Sequence, residues 1–216
     1  MATASPTLGK WAGMTPWQRR ASMLQDAVLV VVSSFFFVIH ARLLLAGQVS
    51  SVFFATEQGL LIWMFLTRRR SQATSTRVGD WIVATIGGWL PLALQPVGSA
   101  HVGLEISGMA VQLAGLTCTA IGFLALGRSF GIVAANRGLT VRGPYRIVRH
   151  PIYFSHAITL SGFLLANPGW LNFAIVAIVG AGQIMRIMAE ERVLRETGDY
   201  AEYAGRVRWR LIPGVF

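Results

Sequence analysis

The chain has 216 residues, of which 54% are hydrophobic and only 13% charged, and its net charge is +10. Soluble domains carry about 25% charged residues, so charge this sparse, set between long apolar runs, excludes an ordinary soluble domain and points to an integral membrane protein. The basic residues flank apolar runs and no finger, helix-turn-helix or RNA-binding signature is present, so they read as topology signals and headgroup contacts, not as a nucleic-acid surface.

Residues 1–26 read as a cytosolic arm, with Trp11, Trp17, Arg19 and Arg20 forming an interfacial segment. This arm contains no short apolar core followed by a small-residue cleavage site, so the first apolar run is expected to act as an uncleaved membrane signal. Residues 27–46 and 49–66 predict the first two spanning helices. A loop carrying Arg68, Arg69, Arg70 and Arg77 leads to a third apolar run at 81–97, in which Pro91 predicts a kink. Residues 103–127 are a fourth run, rich in the glycine and alanine that permit close helix packing. A polar, arginine-rich stretch follows at 128–150, then a short fifth run at 151–166, a turn at Asn167-Pro168-Gly169, and a sixth run at 170–189 that continues as a charged helix to about Glu196. Residues 200–216 form a basic, aromatic tail.

These runs predict an all-α, polytopic membrane helical bundle of about six spans, closing in a C-terminal helical hairpin under a cytosolic cap. The natural division is 1–127, the arm and first four helices, and 128–216, the hairpin and cap. Among the 19 Lys and Arg residues only Arg42 falls on the outer half, and the outer turns near residues 47, 100 and 168 hold none. That bias places both termini, and both polar clusters of the C-terminal half, on the cytosolic side of what is expected to be the cytoplasmic membrane.

Two polar clusters flank the hairpin. The first, Arg142–Tyr153, reads RGPYRIVRHPIY. Pro151 suits the first position of a helix, which leaves His150 as the cap beside the positive end of the helix dipole, where an anionic or electron-rich ligand group can bind. The bland reading is a basic loop against lipid phosphates. The second, Arg186–Tyr203, reads RIMAEERVLRETGDYAEY. Arg186 and Glu190 are four residues apart and share a helix face near the membrane boundary, either as a surface ion pair or as a substrate site. Glu57 sits in the middle of the second run, where a carboxylate is costly unless paired or protonated, so it faces a helix partner or lines the substrate site. Cys118 is the single cysteine, and no metal site is expected.

Taken in order, Gly143-Pro144-Tyr145, Arg149-His150-Pro151-Ile152-Tyr153, Glu190-Glu191, the segment Gly198–Tyr203, Arg206-Val207 and Ile212-Pro213 resemble the isoprenylcysteine carboxyl methyltransferase family and the phospholipid N-methyltransferases grouped with it. The resemblance covers the C-terminal part of the chain. It implies a membrane-embedded enzyme that uses S-adenosyl-L-methionine, with Arg137, Leu139, Thr140, Tyr145, His150, Pro151, Ile152, Tyr153, Glu190 and Glu191 at the cofactor and Arg186 at the substrate. Arg186 and Glu190 are then the residues expected closest to the chemistry. Two departures weaken prenylated cysteine as the substrate: Phe154-Ser155 stands where many members have a glycine nearby, and the segment from Glu191 to Tyr200 is short.

The resemblance implies methyl transfer to a lipophilic small molecule or lipid, with Arg186 favouring a carboxylate and hence O-methylation. The alternatives are N-methylation of a phospholipid amine, an NADPH-dependent membrane reductase, and a non-catalytic basic scaffold. Membrane lipids and the lipophilic acceptor are the expected partners; nothing in the sequence calls for an obligate protein partner.

Overall fold

A computed structural model describes residues 16–48, 51–67, 73–75, 77–99, 101–129, 135–136, 139–196 and 200–216. Its order is α1 (Pro16–Leu45), α2 (Ser51–Thr67), β1 (Ala73–Thr74), α3 (Val78–Trp89), α4 (Val102–Leu126), β2 (Ala135–Asn136), α5 (Pro151–Ala166), α6 (Trp170–Arg195) and α7 (Tyr200–Arg206). The all-helical expectation holds, since β1 and β2 form only a two-residue antiparallel bridge, Ala73 opposite Asn136 and Thr74 opposite Ala135. The helices fall into two compact units, Met1–Arg70 and Ser71–Phe216.

The first unit is the α1–α2 hairpin. Gly47, at φ +93°, takes the left-handed conformation that ends α1, and Gln48 N–H closes the turn on the Leu43 carbonyl at 3.0 Å. The pair packs through His40, whose ring stacks on Phe54 at 4.9 Å, and through Gly59, which faces the Phe37 ring. Helix α1 begins at Pro16, inside what the sequence suggested was an arm. Trp11 and the side chains of Trp17 and Arg19 lie outside the described residues.

In the second unit α4 and α5 pack backbone to backbone. A Cβ at Gly108 would lie 2.6 Å from the Gly162 carbonyl oxygen, and one at Gly115 would lie 2.6 Å from the Thr159 backbone nitrogen. Facing it, a Cβ at Gly162 would lie 2.6 Å from the Gln112 nitrogen. Such an approach is possible only because these positions have no side chain. Thr119 Oγ1 and Ser155 Oγ bond across the buried contact at 2.8 Å. This interface fixes the start of α5, because Ile152 closes it against Gly122.

Helix α3 runs along α6, and Asp80 near its start meets Arg192 at 3.2 Å. Asp80 also accepts from Ser75, whose carbonyl takes the Trp81 indole N–H at 2.9 Å. The third apolar run corrects one expectation. Pro91 does not kink a helix reaching 97; α3 stops at Trp89 and Pro91 begins a 3-10 turn, Leu90–Ala93, because proline cannot continue the α-helical hydrogen-bond ladder. At that end of the unit a buried asparagine clamp replaces the missing helix. Asn172 accepts from Gln95 N–H at 3.0 Å and donates to the Gln95 and Asn167 carbonyls at 2.8 and 2.9 Å. Asn167 in turn accepts from Gly98 N–H at 3.0 Å.

By length and composition, Asp26–Leu45, Val102–Leu126 and Trp170–Arg195 can each cross a membrane, while Ser51–Thr67, Val78–Ala93 and Pro151–Ala166 are shorter apolar helices. With a 16-residue length, α5 spans about 24 Å, less than a hydrocarbon core of about 30 Å. Its ends are set by Pro151 and by the Asn167-Pro168-Gly169 turn.

Candidate active site

Helix α5 starts at Pro151 because a helix start spends one N–H that proline lacks. The preceding residues are held from another part of the chain. Arg149 N–H donates to the Trp209 carbonyl and His150 N–H to the Arg210 carbonyl, both at 2.9 Å. The tail that supplies these carbonyls folds on itself, since the Phe216 backbone oxygen accepts the N–H groups of Arg210, Leu211 and Ile212. Helix α7 docks the rest of the cap. Tyr200, Tyr203 and Val207 form a buried cluster with Leu139 and Leu194 packed against it, and the Tyr203 hydroxyl donates to the Tyr145 carbonyl at 2.8 Å.

The two polar clusters meet along α6, and its neighbouring glutamates occupy opposite environments. Glu191 is 2% exposed. Its Oε1 lies 2.9 Å from Arg149 Nη1, 3.1 Å from Arg210 Nε and 3.4 Å from His150 Nε2. Its Oε2 takes Arg210 Nη2 at 3.2 Å and Arg195 Nη2 at 3.4 Å. The carboxylate is saturated by cations and serves as the electrostatic pin of the cap. Arg149 also donates to the Arg208 carbonyl at 3.0 Å, so one guanidinium joins α6 to the tail.

The Glu190 side chain is 32% exposed and points the other way. Its Oε2 accepts from the Tyr153 hydroxyl at 2.9 Å and lies 3.9 Å from His150 Nδ1. The guanidinium of Arg186 sits over the Tyr153 ring, 5.2 Å from its centroid, and donates to Gln183 at 3.0 Å. Gly87 of α3 makes room for it, because a Cβ there would meet the Arg186 Cδ at 3.1 Å. Tyr145 belongs to the same cluster. Burial raises its phenol well above the ordinary tyrosine range, and the Glu190 carboxylate, Tyr153 and Tyr203 push it further the same way.

Thus Tyr145, His150, Pro151, Tyr153, Arg186, Glu190 and Glu191 gather at one end of the hairpin. Ile152 instead packs into the α4–α5 contact at Gly122. Leu139 packs on the α7 cluster, with Thr140 beside it in sequence. Arg137 lies outside the described residues. Glu57 belongs to α2 in the first unit. Sequence reasoning missed Arg149 as a structural partner, Arg210, Tyr200 and Gln183. An arginine many residues from the glutamate it neutralises leaves no local spacing signal; only Gln183, three residues before Arg186, stood at a helical interval that could have shown it.

The fold and this cluster define a helical membrane protein with a polar site at one end of a hairpin, and the chemistry of that site comes from a comparison. Residues 100–200, covering α4 through the first residue of α7, match the model of the phospholipid methyltransferase family, and over this stretch the chain belongs to that family, within the isoprenylcysteine/phospholipid methyltransferase group. The family makes it a membrane methyltransferase, with a methyl donor of the S-adenosylmethionine type implied. No curated protein matches the chain.

Proposed function

We propose that this protein is a membrane-embedded S-adenosyl-L-methionine-dependent methyltransferase whose acceptor is a lipid carrying an anionic group and an amine, as an amino-headgroup phospholipid does. The observation that carries this reading is the pairing at Tyr153: a cation, Arg186, lies over its ring and a carboxylate, Glu190, accepts its hydroxyl. A phosphate beside Arg186 and an ammonium beside Glu190 would match that charge order. The family's phospholipid name agrees with it.

The donor set also fits the cofactor. An ionised, partly exposed Glu190 suits ribose hydroxyls or a cation, and the tyrosine rings at 145 and 153 suit adenine or a sulfonium group. When bound, the cofactor supplies a methyl group on sulfonium sulfur, which leaves with the electron pair of the C–S bond. The protein's own share is alignment and exclusion of water. Tyr153 is held by Glu190 and Arg186, and the cap is pinned by Glu191. With the cap on the cytosolic side, a charged donor would arrive from water and a lipid acceptor from the bilayer.

A second reading, O-methylation of a lipophilic carboxylate, is favoured by Arg186 alone. Calorimetric titration with S-adenosylmethionine, its demethylated product and NADPH tests the class. The first two should bind the wild type, and Glu190→Ala and Tyr153→Ala should abolish that binding while the protein still folds. Binding of NADPH alone would replace the proposal with a reductase, and binding of none of the three would overturn it. Product analysis with amine and carboxylate lipids then separates the two acceptors.

A further inference from the structure

We propose that His150 is the terminal proton acceptor for an amine substrate, receiving the proton through Glu190, and that Glu191 is the positioning residue that decides which imidazole nitrogen receives it. The proposal rests on the amine reading above and deepens it.

The argument starts at Glu191. With Arg149, Arg210 and Arg195 on its oxygens it is ionised, and an ionised carboxylate only accepts. His150 Nε2, 3.4 Å from Oε1, must therefore carry hydrogen. In the neutral ring Nδ1 then holds a lone pair, and it is this atom that lies 3.9 Å from Glu190 Oε2. His150 is 5% exposed while the Glu190 side chain is 32% exposed, so an acceptor reaches Glu190 first and the imidazole lies behind it. Every charge facing the ring suits this task. Glu190 and Glu191 of α6 stabilise an imidazolium from both sides. Tyr153 of α5 holds Glu190 in place, and Arg149 and Arg210 balance Glu191 without touching Nδ1.

An ammonium nitrogen has no lone pair to attack with. Its N–H bond breaks with the electron pair left on nitrogen, and the proton passes along Glu190 to Nδ1. The nitrogen pair then forms the N–C bond to the methyl group as the C–S pair returns to sulfur. The proton finally leaves to water by the exposed face of Glu190. A carboxylate acceptor needs none of this, which makes the arrangement specific to amines.

The first test needs no turnover. Nitrogen-15 spectra of histidine-labelled full-length protein in lipid nanodiscs, with His150→Gln used to assign the signal, report the tautomer. The expected result is Nε2–H with a bare Nδ1, and loss of that fixed tautomer in Glu191→Gln. An Nδ1–H ring, or an unchanged ring in Glu191→Gln, overturns the proposal.

The second test is kinetic and uses His150→Gln, which keeps an N–H donor for Glu191 but removes Nδ1. With an aminoethyl phospholipid, kcat should fall about 100-fold near neutral pH while the donor Kd is unchanged. The loss should shrink as pH rises, because an amine already deprotonated in solution needs no acceptor. An unchanged rate, a pH-independent loss, or a raised donor Kd with intact kcat overturns the assignment. If the wild type binds the methyl donor but methylates only carboxylate lipids, this proposal falls and the methyltransferase stands; if it binds no donor, both fall.

Discussion

Glu190 and Glu191 are adjacent, yet a rotation of about 100° per helical residue sends one to the ligand side and the other into the protein. Their substitutions should separate. Glu190→Gln should leave thermal stability near wild type and lower donor affinity by calorimetry. Glu191→Ala leaves Arg149 and Arg210 buried without their counter-charge, so it should cost about 3 kcal/mol in unfolding stability before any ligand is added. Tyr203 gives a pH signature. Burial lifts its phenol to about 12, with Glu191 adding to the rise and Arg149 opposing it. A raised folded value means that the contribution is complete below the unfolded pKa of about 10. It is lost as pH climbs from there through about 12. Tyr145 and Tyr200 shift in the same direction, so α7 should undock in alkali, seen as phenolate absorbance rising together with loss of structure. Tyr203→Phe should weaken that steepness and cost about 1 kcal/mol through the lost bond to the Tyr145 carbonyl.

Among the elements, α4 and α5 carry the tightest constraint. A Cβ at Gly115 would lie 2.6 Å from the Thr159 nitrogen, and backbone cannot yield as a flexible side chain does. Gly115→Leu should therefore lower unfolding stability by about 3 kcal/mol or more, measured by thermal denaturation in detergent, and should displace the start of α5 with it. Gly103 in the same helix has nothing near its missing Cβ. Gly103→Ala should be neutral or stabilise by up to about 1 kcal/mol from helix propensity, which makes it the matched control. Helix α3 is placed differently, by polar clamps at both ends: Asp80 on Arg192, and the Asn172 amide on Gln95. Asn172→Leu, of similar volume, strips both Gln95 groups of their partner and should cost about 2 kcal/mol.

At the scale of the molecule, the second unit places the asparagine clamp at one end of the hairpin and the glutamate-centred cluster at the other, separated by the length of α5. The arginine distribution predicts that the cluster end faces the cytosol. After replacement of Cys118, cysteines introduced at the exposed Arg146 and Arg208 should react with a membrane-impermeant maleimide only when the cytosolic side is accessible, and one at Pro168 only from the opposite side. Labelling of Arg146 and Pro168 positions from one side would reject the orientation.

What the sequence by itself determined is the membrane class, the helical content and nearly every helix boundary of the C-terminal half. Apolar runs, Pro151 and the Asn167-Pro168-Gly169 turn are local signals, and local hydrogen bonding and proline sterics act on them without reference to the rest of the chain. It also gave the motif residues that converge at Tyr153. Tertiary structure alone decided that Pro91 ends α3 instead of bending it, since the Asn172 clamp takes over the backbone groups beyond. It decided that the tail returns as α7 and a strap over Arg149 and His150. It decided, finally, that Glu191 is a buried pin while Glu190 remains available. Those outcomes depend on which distant charges and carbonyls share a low-dielectric interior, and a pairing such as Arg210 with Glu191 acquires its strength only once folding has excluded water from both.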